Sequence, residues 1–200
     1  MKSDYRGFFL SAAALLTLST LAAGCSDGGM SVSDGKKAAD ESRRPVAKTY
    51  WKLHKALGDQ FYLTLGVGGF TGCADPSSKD SLVYVVDEPV EGKSKKQTDE
   101  QFVAMVKSRL SAVGWQLKPA GNKRQSAMKN GVEVQLNLLN RTAGEGALAR
   151  LDVRGKCTNV GPAKGDIFDA YGGSKRDEYR SSSASPTPIP SFLDSDATTP

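Results

Sequence analysis

The chain has 200 residues, a net charge of +5 and 38% hydrophobic residues, which fits one domain with polar tails. Charge is uneven: 23 basic and 15 acidic residues stand between Arg43 and Arg180, while 26–42 and 181–200 each carry two net negative charges. So mild a basic core favours anionic lipid or wall polymer non-specifically; with no stacking-aromatic or recognition-helix pattern beside it, nucleic acid is excluded as the expected partner.

A short charged start (Lys2, Asp4, Arg6) leads into residues Phe8 to Gly24, which carry no charge. That run is shorter than the roughly 20 apolar residues a spanning helix needs, and small residues close it, so it reads as a secretory signal. Its last residues, Leu21-Ala22-Ala23-Gly24-Cys25, resemble the lipobox of bacterial lipoproteins, with Ala22 where that family more often has Leu. The resemblance implies a signal peptide over 1–24, acylation of Cys25, and anchoring to the cell membrane on its extracytoplasmic face. The plainer alternative is an ordinary signal cut after an Ala-x-Ala-like site, with Cys25 incidental.

Export bears on the other two cysteines. In an oxidising compartment Cys73 and Cys157 are expected to pair, closing a loop of about 84 residues for which the chain-entropy model gives roughly 4–5 kcal/mol. A two-cysteine metal site lacks partners, because the chain has one histidine and no Cys-x-x-Cys. A free thiol is the remaining option.

Residues 25–42 hold Gly, Ser, Asp and Lys and read as the lipidated cysteine and a flexible tether, with at most a helical turn through Lys37 to Arg43. From Arg44 to Leu57 the spacing of Val46, Tyr50, Leu53 and Leu57 predicts a helix, with Pro45 in its first turn and Gly58 beyond its end. Lys48, Lys52 and Lys55 lie opposite that stripe, either as a solvated face or as a contact for anionic headgroups. Phe61, Leu63, Leu65 and Val67 alternate as a strand and lead into a cluster of glycines ending at Gly72. No dinucleotide fingerprint fits there, since Thr71 stands where a glycine is needed; a bulge or a close approach fits better. Ser81 to Asp87 is a second strand, expected to form an antiparallel hairpin with the first, and Glu88 to Gln97 a charged connection.

Thr98 and Gln101 form a capping box, with Asp99 and Glu100 at the positive end of the helix that follows. Phe102, Met105, Val106, Leu110 and Val113 fall on its core face, and Gly114 ends it. Trp115 to Lys118 reads as a short strand. Asn130-Gly131 is a two-residue hairpin turn, followed by an alternating strand through Val132, Val134, Leu136 and Leu138. Thr142 to Gly146 reads as a turn, and Asn140-Arg141-Thr142 as a sequon without weight in this setting. The last strand, Ala147 to Cys157, puts Ala149, Leu151, Val153, Gly155 and Cys157 inward. Ile167, Phe168 and Tyr171 suggest one amphipathic turn, and the Ser- and Pro-rich tail reads as disordered.

These elements argue an α+β fold: an antiparallel sheet of five or six strands, two helices packed on one face, one disulfide. The domain is expected over 43–172, with a tail over 173–200. The order of helix, hairpin, helix and meander, with Gly114-Trp115 after the second helix and paired cysteines, resembles small exported lipoproteins of actinobacteria. That resemblance implies no catalytic residues, cofactor or metal.

For an enzyme, the one histidine, His54, has no Gly-x-Ser-x-Gly elbow with it and reads as a packed core residue. Asp152 and Glu133 alternate onto the wet face of the sheet as an acid/base pair or, with Arg150 and Arg154 flanking, as a cross-strand ion pair. The expectation is a non-catalytic binding module at the cell envelope, with an accessory subunit of an envelope complex, or an enzyme of another type, as the alternatives.

Overall fold

The computed structural model describes residues 29–64, 66–75, 77–140, 146–171 and 177–179. The expected signal peptide over 1–24, Cys25, the start of the expected turn at Thr142 and the tail from Arg180 lie outside them. The described helices are α1 (Val32–Leu57), α2 (Asp99–Ala112) and α3 (Lys164–Tyr171), with a 3₁₀ turn at Gly161–Ala163 before the last. The strands are β1 (Phe61–Leu63), β2 (Gly66–Gly72), β3 (Ser81–Gly92), β4 (Lys118–Pro119), β5 (Arg124–Lys129), β6 (Val132–Leu138), β7 (Leu148–Arg154), β8 (Thr158–Asn159) and β9 (Asp177–Tyr179). They form one antiparallel sheet in the order β4-β5-β6-β7-β3-β2-β9, with β1 and β8 also on β3.

β3 is the spine, with β1 and β2 along one side and β7 and β8 along the other. Leu82, Tyr84, Val86 and Val90 face the helices, as do Ala149, Leu151 and Val153 of β7 and Val132, Val134 and Leu136 of β6. Against them pack Val46, Tyr50, Leu53 and Leu57 of α1, Phe102, Val106 and Leu110 of α2, and Ile167 of α3. The opposite face carries the other half of each alternation, polar over much of β6 and β7 but with Val67, Val83 and Val85 on β2 and β3.

Local signals behave as their chemistry requires. Thr98 accepts from the Gln101 amide at 3.2 Å, and the Gln101 side chain returns to the Thr98 amide at 3.1 Å. At the other end Gly114, at φ +85°, lets the Trp115 amide bond back to the Leu110 carbonyl. Asn130 and Gly131 take positive φ, and Lys129 pairs with Val132 across the turn.

Several expectations need correction. The tether read over 25–42 is helix from Val32 onward, with Ser31 as its cap. One face of it is buried by remote partners: Gly35 lies against the Val160 carbonyl and the Ala163 methyl, and Arg43 holds Asp40 at 2.8 Å under the Tyr171 ring. Pro45 therefore sits inside α1, not in its first turn.

Next, β3 continues through Glu88 and Pro89 instead of ending at Asp87. Leu63 pairs with Val90 and Val67 with Asp87, which leaves one extra residue on the β1–β2 side. This bulge lies opposite Pro89, in the kind of site where a sheet tolerates proline. It also flips the phase, so Phe61 and Phe70 face the helices while Val67 faces away. Gly66 then lies so close to the Tyr50 hydroxyl that a methyl there would clash.

A second bulge displaces Cys157. Arg154 pairs with Val85 and Thr158 with Leu82, again leaving one residue over. Cys157 leaves the buried phase and is exposed. It bonds to Cys73 with Cα atoms 5.9 Å apart. Gly72 and Thr158 both pair with Leu82 from opposite sides, and strands two places apart stand about 9.6 Å from one another. The disulfide therefore arches over β3, joining first hairpin and last meander in one sheet.

The remaining corrections are smaller. Met105 sits at the exposed rim of α2 rather than in the core. Trp115 and Leu117 are buried but unpaired, so only Lys118–Pro119 forms a strand. The tail begins later than expected, since β9 pairs with Gly66 to Gly68.

Candidate functional site

Sheet register places the chemistry on the open face. Val85 stands opposite Arg154, Asp87 opposite Asp152, and Pro89 opposite Arg150. On the other side of β7, Gln135 meets Asp152 and Asn137 meets Arg150. All of these but Pro89, with Gly69 and Thr71 of β2 and Arg124 of β5, line a cleft of about 360 Å³.

Asp152 is the best-connected group there. Asn137 Nδ2 donates to its Oδ2 at 2.6 Å, and Arg150 Nε donates to its Oδ1 at 3.0 Å. Its side chain is 15% exposed. Burial pushes its carboxyl above the usual aspartate range and Asp87 adds to this, against the pull of Arg150 and Asn137. Like charges directly opposite on paired strands are destabilising, so the Asp87–Asp152 pair is a local cost. Three guanidinium groups, on Arg124, Arg150 and Arg154, share the same cleft.

Asp152 does form an ion pair with Arg150, but along β7 rather than across strands as expected. Glu133 is not its partner: it lies one row away, opposite Arg154. Asp87 is the residue that sequence reasoning passed over. It ended the expected strand in the right phase, but only the register of β3 on β7 sets it against Asp152.

A second polar cluster lies under α1. His54 Nδ1 is 3.0 Å from both Glu88 carboxylate oxygens, and the Tyr50 hydroxyl is 3.2 Å from the same nitrogen. A carboxylate only accepts, so Nδ1 carries the proton and donates. Glu88 is fully buried and His54 nearly so. Trp51 meets the imidazole edge-on at 5.5 Å between centroids. This cluster is shut between helix and sheet and joins α1 to β3. His54 is a core residue, as its place beside the apolar stripe suggests.

Other surfaces are simpler. Lys48, Lys52 and Lys55 are exposed on α1. A groove of about 750 Å³ runs between α2 and the β5–β6 edge, with Asp99, Val103 and Lys107 on one wall and Lys123 and Leu138 on the other. Among the described residues no three His, Cys, Asp or Glu side chains are placed to share a metal ion, and no helix is long and apolar enough to cross a membrane. Comparison with protein-family models, with curated proteins and with solved structures finds no match of any of the three kinds.

Proposed function

We propose that the chain is an exported, lipid-anchored, non-catalytic binding module of the cell envelope, and that the open-face cleft is its ligand surface. One observation carries the assignment of the cleft: two carboxylates are held face to face among three arginines on an uncovered sheet. That arrangement costs stability, and a cost kept at one place is the mark of a site selected for binding rather than folding. The mixture suits a ligand that presents cationic or hydroxyl donors to Asp87 and Asp152 and an anionic group to the arginines. Charged polymers and peptides of a cell wall are of that kind.

Anchoring is supported by different residues. The lipobox-like Leu21-Ala22-Ala23-Gly24-Cys25 offers the acyl acceptor, and the Cys73–Cys157 bond suits the oxidising side of a membrane.

Two measurements test this function. Cys25→Ser should convert a membrane-associated, acyl-labelled protein into a released or unprocessed one; a mature-sized mutant still fractionating with membranes would refute the anchor. Titration with soluble cell-wall fragments should show binding that Arg150→Ala and Asp152→Ala both abolish, while melting temperature changes little. Equal binding by wild type and variants would remove the cleft from the proposal.

A further inference from the structure

The start of α1 fixes how far the domain can stand from a lipid on Cys25. Four peptide steps separate Cys25 from Gly29, the first described residue, so even fully extended chain reaches about 14 Å. Two residues later Ser31 caps the helix. The pole at this end is built tightly. Gly35 packs on the Val160 carbonyl with no room for a methyl, and its ideal Cβ would lie 2.7 Å from that of Ala163. Met30 lies against Gly161, and Lys36 reaches Asp166 of α3 at 3.9 Å. Lys164 of α3 donates to the Lys79 carbonyl in the β2–β3 turn, and the Val160 amide to that of Asp80.

Three large apolar side chains on this pole are exposed: Met30 at 36%, Val32 at 41% and Phe168 at 42%. Its charges nearly cancel, with Lys36, Lys37, Lys79 and Lys164 against Asp34, Asp80, Asp166 and Asp169. The lysines of the later helix are remote, since Lys48 lies sixteen residues beyond Val32, or about 24 Å along the axis.

From these observations we infer that the domain stands on the lipid bilayer by the pole formed from the start of α1, the 3₁₀ turn and α3. Met30, Val32 and Phe168 enter the headgroup layer. This rests on the lipid anchor proposed above and adds an orientation to it. A short reach forces this pole to the surface, and exposed apolar groups gain by partial burial there. Because the pole is nearly neutral, the contact is apolar, and added salt should not release it. α1 is about 39 Å long and runs beside β3, so Tyr62 of β1, paired with Glu91 near the end of β3, is carried to the far pole. Met105 of α2 lies at that far pole too, its side chain bonded to Gln97, which packs at Gly92.

The test uses the acylated full-length protein in vesicles of equal parts phosphatidylcholine and phosphatidylglycerol. Single cysteines are introduced as Val32→Cys, Phe168→Cys, Tyr62→Cys and Met105→Cys and labelled with a nitrobenzoxadiazole dye. The native cysteines are blocked by lipid or disulfide. Emission at 32 and 168 should shift to the blue and be quenched by headgroup-region lipid nitroxides, whereas 62 and 105 should report water. If all four report water while the protein floats with the vesicles, the orientation is overturned and the anchor stands. Lipid contact at 62 or 105 overturns it as well. A protein that does not float overturns anchor and orientation together. Should a cysteine variant misfold, Val32→Trp and Phe168→Trp, read with brominated lipid over the native Trp51 and Trp115, give the same depth.

Discussion

Removing the imidazole under α1 should cost more than either change at its partner Glu88. Glu88 is fully buried, and both of its oxygens face His54 Nδ1 at 3.0 Å. His54→Ala leaves this carboxylate in the core without the donor, and breaking a buried pair in this way costs about 3–5 kcal/mol. Folded domains have only about 5–15 kcal/mol in hand, so the variant should lose a large share of its stability. Glu88→Gln keeps the shape and an acceptor for Nδ1, and should cost only about 1–2 kcal/mol as the charge-assisted bond becomes a neutral one. Glu88→Ala should fall between them, because the orphaned His54 retains the Tyr50 hydroxyl at 3.2 Å. Urea unfolding followed by far-ultraviolet circular dichroism gives all three values from midpoints at constant slope. The double variant His54→Ala, Glu88→Ala should cost less than the two single losses together. A His54→Ala cost below about 1 kcal/mol, or costs that simply add, would refute the view that this pair is desolvated and mutually dependent.

Three further outcomes follow from other parts of the molecule. Gly35→Ala should destabilise by about 1–3 kcal/mol, since its methyl must displace the Val160 carbonyl; an unchanged urea midpoint would return residues 32–42 to a tether. Cys73→Ala or Cys157→Ala should each cost up to about 4–5 kcal/mol and the double variant little more, with peptide mapping of the oxidised protein showing no alkylatable thiol at either position. Asp152 has its folded carboxyl raised, so its contribution is fully present below the unfolded value and is lost as pH rises through the folded one. Stability of the wild type relative to Asp152→Asn should therefore fall between acid and neutral pH, and a difference flat with pH would show that burial does not govern this group.

Much of the fold is legible in short stretches of sequence because its causes are local. The Thr98 box, the Gly114 terminator and the Asn130-Gly131 turn each act through neighbours within a few residues, so sequence alone placed α2 and the β5–β6 hairpin. Alternation likewise gave the inward sets of β6 and β7 as far as Val153, and the even count left after Cys25 gave the disulfide.

The candidate site was only half legible. Asp152 and its arginines stood out in the last strand, but the facing carboxylate on Asp87 depends on how β3 meets β7. The first half of α1 was hidden for a related reason. Gly35 and Arg43 look solvent-facing until Val160, Ala163 and Tyr171, more than a hundred residues away, cover them. Two one-residue bulges decided which side of the sheet Val67 and Cys157 take, and β9 exists as a strand only because β2 offers it an edge. Caps, turns and periods are properties of adjacent residues, so sequence by itself determined them. Register, bulges and the burial of polar groups depend on partners remote in the chain, and only the tertiary structure brings those partners together.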